Sequence, residues 1–295
     1  MFVVLRVVAL AVVCLGLVGC AKPPETRESL MALAPTDAVI TSATAPRAIV
    51  ASAVANQPLP PTPSLLPQRV TAGLAGRTLT VSSNSQLILR PGEVILTFDD
   101  GPRPGKTERI LETLEAFNVK ATFLMLGSQA ERHPALARIV AEQGHTIGTH
   151  TYDHVDLSTL SLTGAIAEIY AGQQAVAAAL APMNLSPSRF FRFPYLAQTG
   201  LIRTTAIDNN FIVLDVDVDS KDYYSESPQT VMQRTLARLD ARGSGIILFH
   251  DIHARTATLL PEFLGELRAR GYSVVTLRSS GGSVFDEPVI TADVL

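Results

Sequence analysis

Seven short apolar runs constrain the fold of this chain more than any other feature. From Glu93 onward, segments with apolar residues at helical spacing separate each run from the next. The runs lie at residues 94–98, 120–126, 145–148, 190–193, 212–216, 246–249 and 273–277. Apolar runs of this length are typical of buried strands. Strands that alternate with helices predict parallel βα units in an α/β domain.

The alternation allows two architectures. Seven βα units can curl into an incomplete barrel, or they can form an open, doubly wound sheet, and periodicity alone does not separate the two. In both, the carboxyl ends of the parallel strands meet at one edge of the sheet. Polar side chains therefore converge there if they follow the strands.

Polar residues follow five of the seven runs. They are Asp99 and Asp100 after the first, His150 and His154 after the third, Arg192 in the fourth, Asp219 and Asp222 after the fifth, and His250 and Asp251 after the sixth. This edge is where barrel enzymes build their sites. The pattern predicts one composite site at the carboxyl ends of the strands.

His150 and His154 indicate a metal within that site. They are four residues apart, so on one helical turn both imidazoles are expected to face the same way. Asp100 is the candidate third ligand, giving two nitrogens and one carboxylate, as in catalytic zinc sites with a position open for water. Cys14 and Cys20 are the only cysteines, so a metal bound beyond residue 20 must use nitrogen and oxygen ligands.

Asp99 and Asp100 pose a geometric problem. Neighbouring side chains on a strand point to opposite faces, so both carboxylates can serve one site only if the strand ends there. Gly101 and Pro102 follow at once and are expected to bend the chain.

The N-terminal segment is typical of export. Arg6 precedes an apolar stretch at residues 7–18, which is too short to span a bilayer comfortably, and the stretch ends in "LVGC" at residues 17–20. This pattern resembles the bacterial lipobox, which implies cleavage before Cys20 and lipidation of its sulfur. The alternative is an ordinary signal peptide or an uncleaved anchor. Each predicts export, and the lipobox predicts a lipid-anchored protein of the cell envelope.

Composition sets the remaining limits. Residues 21–68 are rich in Pro, Ala, Ser and Thr, which predicts a linker. Residues 69–92 are expected to form an N-terminal extension, with a small hairpin from 77–81 and 86–90. The core domain is expected over 93–280 and a tail over 281–295. The formal charge of -3 and the lack of a Lys/Arg cluster argue against a nucleic-acid partner.

Five segments, in this order, resemble the motifs of the polysaccharide deacetylase family, the NodB-homology group or carbohydrate esterase family 4. They are "TFDDGP", "HTYDH", "RFPY", "DSKDY" and "LFH". The resemblance implies an irregular (β/α)7 barrel, which selects between the two architectures. It also implies hydrolysis of N- or O-acetyl groups on sugars with one divalent metal. The expected metal is Zn²⁺, and Co²⁺ and Mn²⁺ are the alternatives.

The resemblance implies a role for each half of the carboxylate pair. Asp100, His150 and His154 would hold the metal. Asp99 would be the general base toward the attacking water. Arg192 would orient Asp99 and keep it ionised. Arg189 is the rival for that inward position.

The remaining roles concern the leaving group and the substrate. His250 would be the general acid that protonates the leaving amine, and Asp222 would support it. The Tyr195 backbone amide would complete the oxyanion hole, and Leu248 would contribute to a pocket for the acetyl methyl group. The alternative for Asp217, Asp219 and Asp222 is that they simply cap a loop; only Asp222, three residues after Asp219 and followed by Tyr223, fits the fourth motif.

The sequence departs from the family where sugars stack. Leu196 stands where members often carry Gly, and the chain has no Trp. Stacking platforms must therefore come from Tyr or Phe, and the candidates are Tyr152, Tyr195, Tyr223 and Tyr224. Because of these departures, the resemblance gives weaker support to any particular substrate.

The expected function is deacetylation of an exported N-acetylated polysaccharide, with peptidoglycan N-acetylglucosamine or chitin-like oligosaccharides first. Acetylxylan is an alternative substrate. Small cyclic amides or ureides are another, but export argues against them because their metabolism is mostly cytoplasmic. The last alternative is a non-catalytic saccharide-binding lipoprotein, in which a metal ligand, the acid or the base would be missing. All of these residues are present in the sequence.

Overall fold

The computed structural model of the chain describes residues 73–281 and Val284. This part contains nine strands: β1 (Ala75–Val81), β2 (Glu93–Asp99), β3 (Thr122–Met125), β4 (Thr146–Thr149), β5 (Phe190–Phe191), β6 (Ile212–Val213), β7 (Val218–Asp219), β8 (Gly245–His250) and β9 (Ser273–Ser279). It contains seven α-helices: α1 (Thr107–Ala116), α2 (Gly127–Arg132), α3 (Pro134–Glu142), α4 (Leu162–Leu180), α5 (Gly200–Asp208), α6 (Pro228–Arg242) and α7 (Ala254–Ala269).

Seven strands form a curled parallel sheet in the order β7-β8-β2-β3-β4-β5-β6. Among the described residues no pairing joins β6 to β7, so the sheet stays open there. β9 pairs with the first residues of β2 and carries β1 on its other edge. The predicted irregular barrel is confirmed.

The two faces of β2 explain why the sheet curls. Val94, Leu96 and Phe98 pack in the large core that includes apolar residues of the outer helices α1, α6 and α7. Ile95 packs instead in a second core that contains no residue of a helix. Strand side chains alternate between faces. One face of the sheet is therefore covered by helices, and the other closes on itself.

The hairpin predicted from residues 77–81 and 86–90 does not form. β1 pairs in parallel with β9, with Thr78 opposite Thr276, and residues 87–90 are not in a strand. The prediction was wrong because the free edge of β9, distant in sequence, offers a longer pairing than the neighbouring segment does. β1 thus belongs to the sheet of the core domain.

The fifth apolar run also differs from its prediction. Residues 212–216 contribute only the two-residue strand β6, and β7 follows at Val218 on the other side of the opening. All seven predicted runs contain a strand, whereas β1 and β7 are additional.

The lipobox with Cys20, the linker at 21–68 and most of the tail at 281–295 lie outside the described residues. Within the described part, none of the helices combines the length and apolar character needed to cross a membrane.

Candidate metal centre and active site

Asp99 and Asp100 reach one site because the backbone turns between them. β2 ends at Asp99, and Asp100 has φ 75°, a conformation uncommon for residues other than glycine. A Cβ on Gly101 would lie 2.0 Å from Oδ2 of Asp251, so only glycine fits after the pair. The turn therefore places two adjacent carboxylates in the same cleft.

His150 and His154 converge, but not on a helix. The segment between them has no helical turn, and Thr151 and His154 have φ 66° and 59°. The predicted helical turn is wrong, because these two left-handed residues reverse the loop instead. Gly172 of α4 permits this path, since a Cβ there would lie 2.4 Å from the backbone carbon of Thr151.

Asp100, His150 and His154 form a candidate metal centre, with one ligand atom of each within 4.8 Å of the others. Oδ1 of Asp100 lies 3.6 Å from Nε2 of His150 and 3.5 Å from Nε2 of His154. This Oδ1 is buried and has no hydrogen-bond partner, which is costly unless a cation faces it.

The second nitrogen of His150 supports that interpretation. Nδ1 lies 2.7 Å from the backbone oxygen of Arg192, and donation to that carbonyl leaves Nε2 free as a ligand. Burial lowers the pKa of His150 to about 3, so its imidazole is neutral, as a metal ligand must be. Two imidazoles and one carboxylate suit a divalent ion such as Zn²⁺.

Arg192 forms a buried ion pair with Asp99. It is 1% exposed, and its Nη1 donates to Oδ1 of Asp99 and to Oγ1 of Thr97, both at 2.8 Å. Burial raises the pKa of Asp99, and the positive charge of Arg192 opposes that rise. Arg189, the rival, instead donates to backbone oxygens of Ser82 and Ser280.

His250, which is half-buried, pairs with the buried Asp222. Nδ1 of His250 lies 2.7 Å from Oδ1 of Asp222, whose Oδ2 accepts from the His250 backbone amide at 2.8 Å. Burial alone would lower the pKa of His250, but the hydrogen bond and charge of Asp222, together with the charges of Asp99 and Asp100, raise it to about 9. Asp222 is fully buried, and its pKa is lowered by these bonds despite desolvation.

A cleft of about 420 Å³ gathers the predicted residues, with Asp222 behind His250. Its lining comprises Asp99, Asp100, His150, His154, Arg192, Phe193, Tyr195, Leu196, Asp219, Tyr223, Leu248, His250 and His253. Leu248 is buried at the cleft wall, whereas Tyr195 is 67% exposed and its ring lies 4.5 Å from that of His154.

Asp217 and Asp219 have other partners than His250. Asp217 pairs with Arg242 and accepts from the backbone amide of Ile246. Asp219 lines the cleft and accepts from the Tyr223 hydroxyl at 3.0 Å. Of the four tyrosines proposed as stacking platforms, Tyr195 and Tyr223 line this cleft; Tyr152 and Tyr224 do not.

Sequence reasoning missed the hydroxyl groups that support the site. Thr256 donates to Asp222 and Thr107 donates to Asp251, each at 2.6 Å, while Thr97 contacts Arg192. Each partner is distant in sequence, so no local spacing signals the contact. Asp251, directly after β8, is 1% exposed and fills the space that a side chain at position 101 would need.

Comparisons with known proteins point to the family that the five sequence motifs resemble. A family model described as polysaccharide deacetylase matches residues 89–213. Over 186 residues the chain is 34% identical to the peptidoglycan-N-acetylglucosamine deacetylase PgdA of Listeria monocytogenes, covering 62% of this chain and 38% of that protein. Over 216 residues it is 30% identical to a chitin deacetylase of Colletotrichum lindemuthianum, covering 69% and 85%.

Solved structures show the same similarity. A peptidoglycan deacetylase of Bdellovibrio bacteriovorus matches with a TM-score of 0.61 and 33% identity, over 72% of this chain and 58% of that one. A family 4 carbohydrate esterase of Streptomyces lividans matches with a TM-score of 0.55 and 31% identity, over 66% and 94%. The chain thus spans well under half of the Listeria protein, but most of the Colletotrichum and Streptomyces proteins.

Proposed function

Because the chain belongs to the polysaccharide deacetylase family, we propose that it is a metal-dependent hydrolase of N-acetyl groups on a cell-envelope polysaccharide. The observation that carries this proposal is the single cleft that brings together the Asp-His-His cluster, Asp99 and His250. Amide hydrolysis needs an activated water, stabilisation of the developing oxyanion and a proton for the leaving nitrogen. The cleft holds a candidate for each.

Asp100, His150 and His154 would hold the metal, which we propose to be Zn²⁺. When bound, this ion supplies Lewis-acid chemistry, which polarises the acetyl oxygen and makes water more acidic. Asp99 accepts a proton from the attacking water. Its bond to Arg192 fixes Oδ1, so that Oδ2 is left toward the cleft.

His250 donates a proton to the amine nitrogen as the carbon–nitrogen bond breaks. With its pKa raised to about 9, it is protonated at neutral pH, as a general acid must be. The Tyr195 amide donates to the oxyanion, and Leu248 contacts the acetyl methyl group. Asp222 positions His250 and sets its charge.

The Asp222–His250 pair gives a testable pH dependence. The acid works in its protonated form, so the rate falls as pH rises through its pKa. Asp222→Asn removes the charge that raises this pKa, and we expect the alkaline limb of the kcat profile to move to lower pH by about one unit or more. Acetate release by the metal-loaded enzyme measures this shift. An unmoved limb in a variant with normal melting would contradict the role of Asp222.

Peptidoglycan N-acetylglucosamine is the proposed substrate, supported by the names of the Listeria and Bdellovibrio proteins. The test is acetate release from peptidoglycan, chitooligosaccharides, acetylxylan and a cyclic ureide. Release from the first two alone supports an N-deacetylase. Release from acetylxylan or the ureide alone would favour an O-acetyl esterase or a cyclic amide hydrolase. Binding to glycans with no release from any would indicate a non-catalytic saccharide-binding protein.

We also propose that the chain is exported and anchored by a lipid on Cys20. The support is the lipobox pattern at residues 17–20. Cys20→Ala is expected to move the protein from the membrane pellet to the soluble fraction of the envelope. A wild-type protein already soluble after fractionation would contradict the anchor.

A further inference from the structure

A second cavity, of about 450 Å³, adjoins the candidate metal centre. It shares Asp100, His154 and His253 with the cleft. The rest of its lining is Arg103, Lys106, Leu126, Gln129 and Ile252. A glycan with one sugar in the cleft can therefore place a neighbouring group in this cavity.

Two cations in this cavity are unpaired. In the described part of the chain, the side chains of Arg103 and Lys106 make no hydrogen bond or ion pair, whereas Arg192, Arg203 and Arg234 each pair with a carboxylate. The carboxylate of Glu108, close in sequence, accepts from the Gly105 backbone amide at 2.7 Å. The cations are therefore available to a ligand.

A buried network fixes the loop that carries these cations. The Arg103 backbone amide donates to Oγ1 of Thr107 at 2.7 Å, and that hydroxyl donates to buried Asp251 at 2.6 Å. Lys106 directly precedes α1, so its charge adds to the positive end of that helix dipole. A loop whose backbone is already ordered loses less entropy when an anion binds.

We propose that this cavity is a subsite for a sugar bearing a carboxylate, next to the sugar that loses its acetyl group. The inference rests on the proposed function and narrows its substrate class. In peptidoglycan, alternate sugars carry a lactyl carboxylate or the peptide attached to it, whereas every sugar of chitin is neutral. Gln129 lines the same cavity, and its side-chain amide is a polar group that a sugar hydroxyl can bind.

The test compares Arg103→Ala/Lys106→Ala with Arg109→Ala, which removes an exposed cation of α1 outside the cavity. Exposed ion pairs are individually weak, and the loss of two corresponds to a decrease of about two- to thirtyfold. We expect that loss in kcat/KM, carried by KM, on peptidoglycan oligosaccharides. On chitooligosaccharides of equal length, and in Arg109→Ala, we expect a change below about twofold. The wild-type preference for the anionic glycan should also weaken as salt rises.

Three glycans identify the source of the carboxylate. They are the peptide-free oligosaccharide, the same oligosaccharide with its lactyl groups amidated, and the peptide-bearing form. If the two alanines lower kcat/KM on the peptide-free glycan but not on its amidated form, the cavity binds the lactyl carboxylate. If they lower kcat/KM only on the peptide-bearing form, it binds a peptide carboxylate. Equal losses on anionic and neutral glycans, or none on either, would overturn the subsite.

A binding measurement separates this inference from the proposed function. Affinities of the Asp99→Asn protein for the same glycans, with and without the two alanines, report the subsite without turnover. If the wild type releases no acetate but the alanines still weaken binding of the anionic glycan, the proposed function fails and the subsite stands. If turnover is normal and the affinities do not differ, the subsite fails alone.

Discussion

Asp99→Asn is expected to lower kcat for acetate release by about a hundredfold to ten-thousandfold. The substitution removes the proton acceptor from the cleft and keeps the size and shape of the side chain. The amide oxygen of Asn can still accept from Nη1 of Arg192, which Asp99 engages at 2.8 Å. Steady-state kinetics with the preferred glycan measure the loss.

The control for this variant is its fold. Arg192 is buried, so a neutral partner leaves its charge less compensated, and a thermal melt must show that the protein remains folded at the assay temperature. A folded Asp99→Asn protein with kcat within about threefold of wild type would show that Asp99 is not the base.

Asp100→Ala is expected to abolish both metal binding and activity. It removes one of three candidate ligands and leaves only the imidazoles of His150 and His154. The matched control is Asp153→Ala, which removes an exposed carboxylate from the loop that carries His154. Added Zn²⁺ should raise the melting temperature of wild type and Asp153→Ala, but raise that of Asp100→Ala much less. Equal stabilisation of all three would remove Asp100 from the metal site.

The sequence could predict which residues meet, because the carboxyl ends of parallel strands lie at the same edge of a sheet. Asp99, Arg192 and His250 belong to β2, the β5 end and β8, and any parallel sheet that alternates with helices brings such ends to one edge. The convergence of these residues on one site follows from this rule. The motifs then narrowed the architecture to the barrel.

Local spacing failed where the backbone leaves regular structure. His150 and His154 suggested a helix, but the left-handed residues Thr151 and His154 bring the rings together. No periodicity encodes such a conformation in a residue that is not glycine. For the same reason, the φ of 75° at Asp100, which resolves the problem of the adjacent carboxylates, is visible only in the structure.

Long-range pairing was the other limit. β1 joins β9 across almost the whole domain, and Thr107 reaches Asp251 over 144 positions. These contacts depend on where the sheet edge and the helix start lie in space. Composition and spacing over a short window carry no information about either.

The division of work between two adjacent carboxylates is the central claim, and metal content tests it most directly. We would measure zinc per protein by mass spectrometry in Asp99→Asn and Asp100→Ala, purified side by side with wild type, and assay acetate release on the same samples. We expect about one zinc per chain with little activity in Asp99→Asn, and neither zinc nor activity in Asp100→Ala. Zinc lost from Asp99→Asn but retained by Asp100→Ala would show that the two roles are reversed.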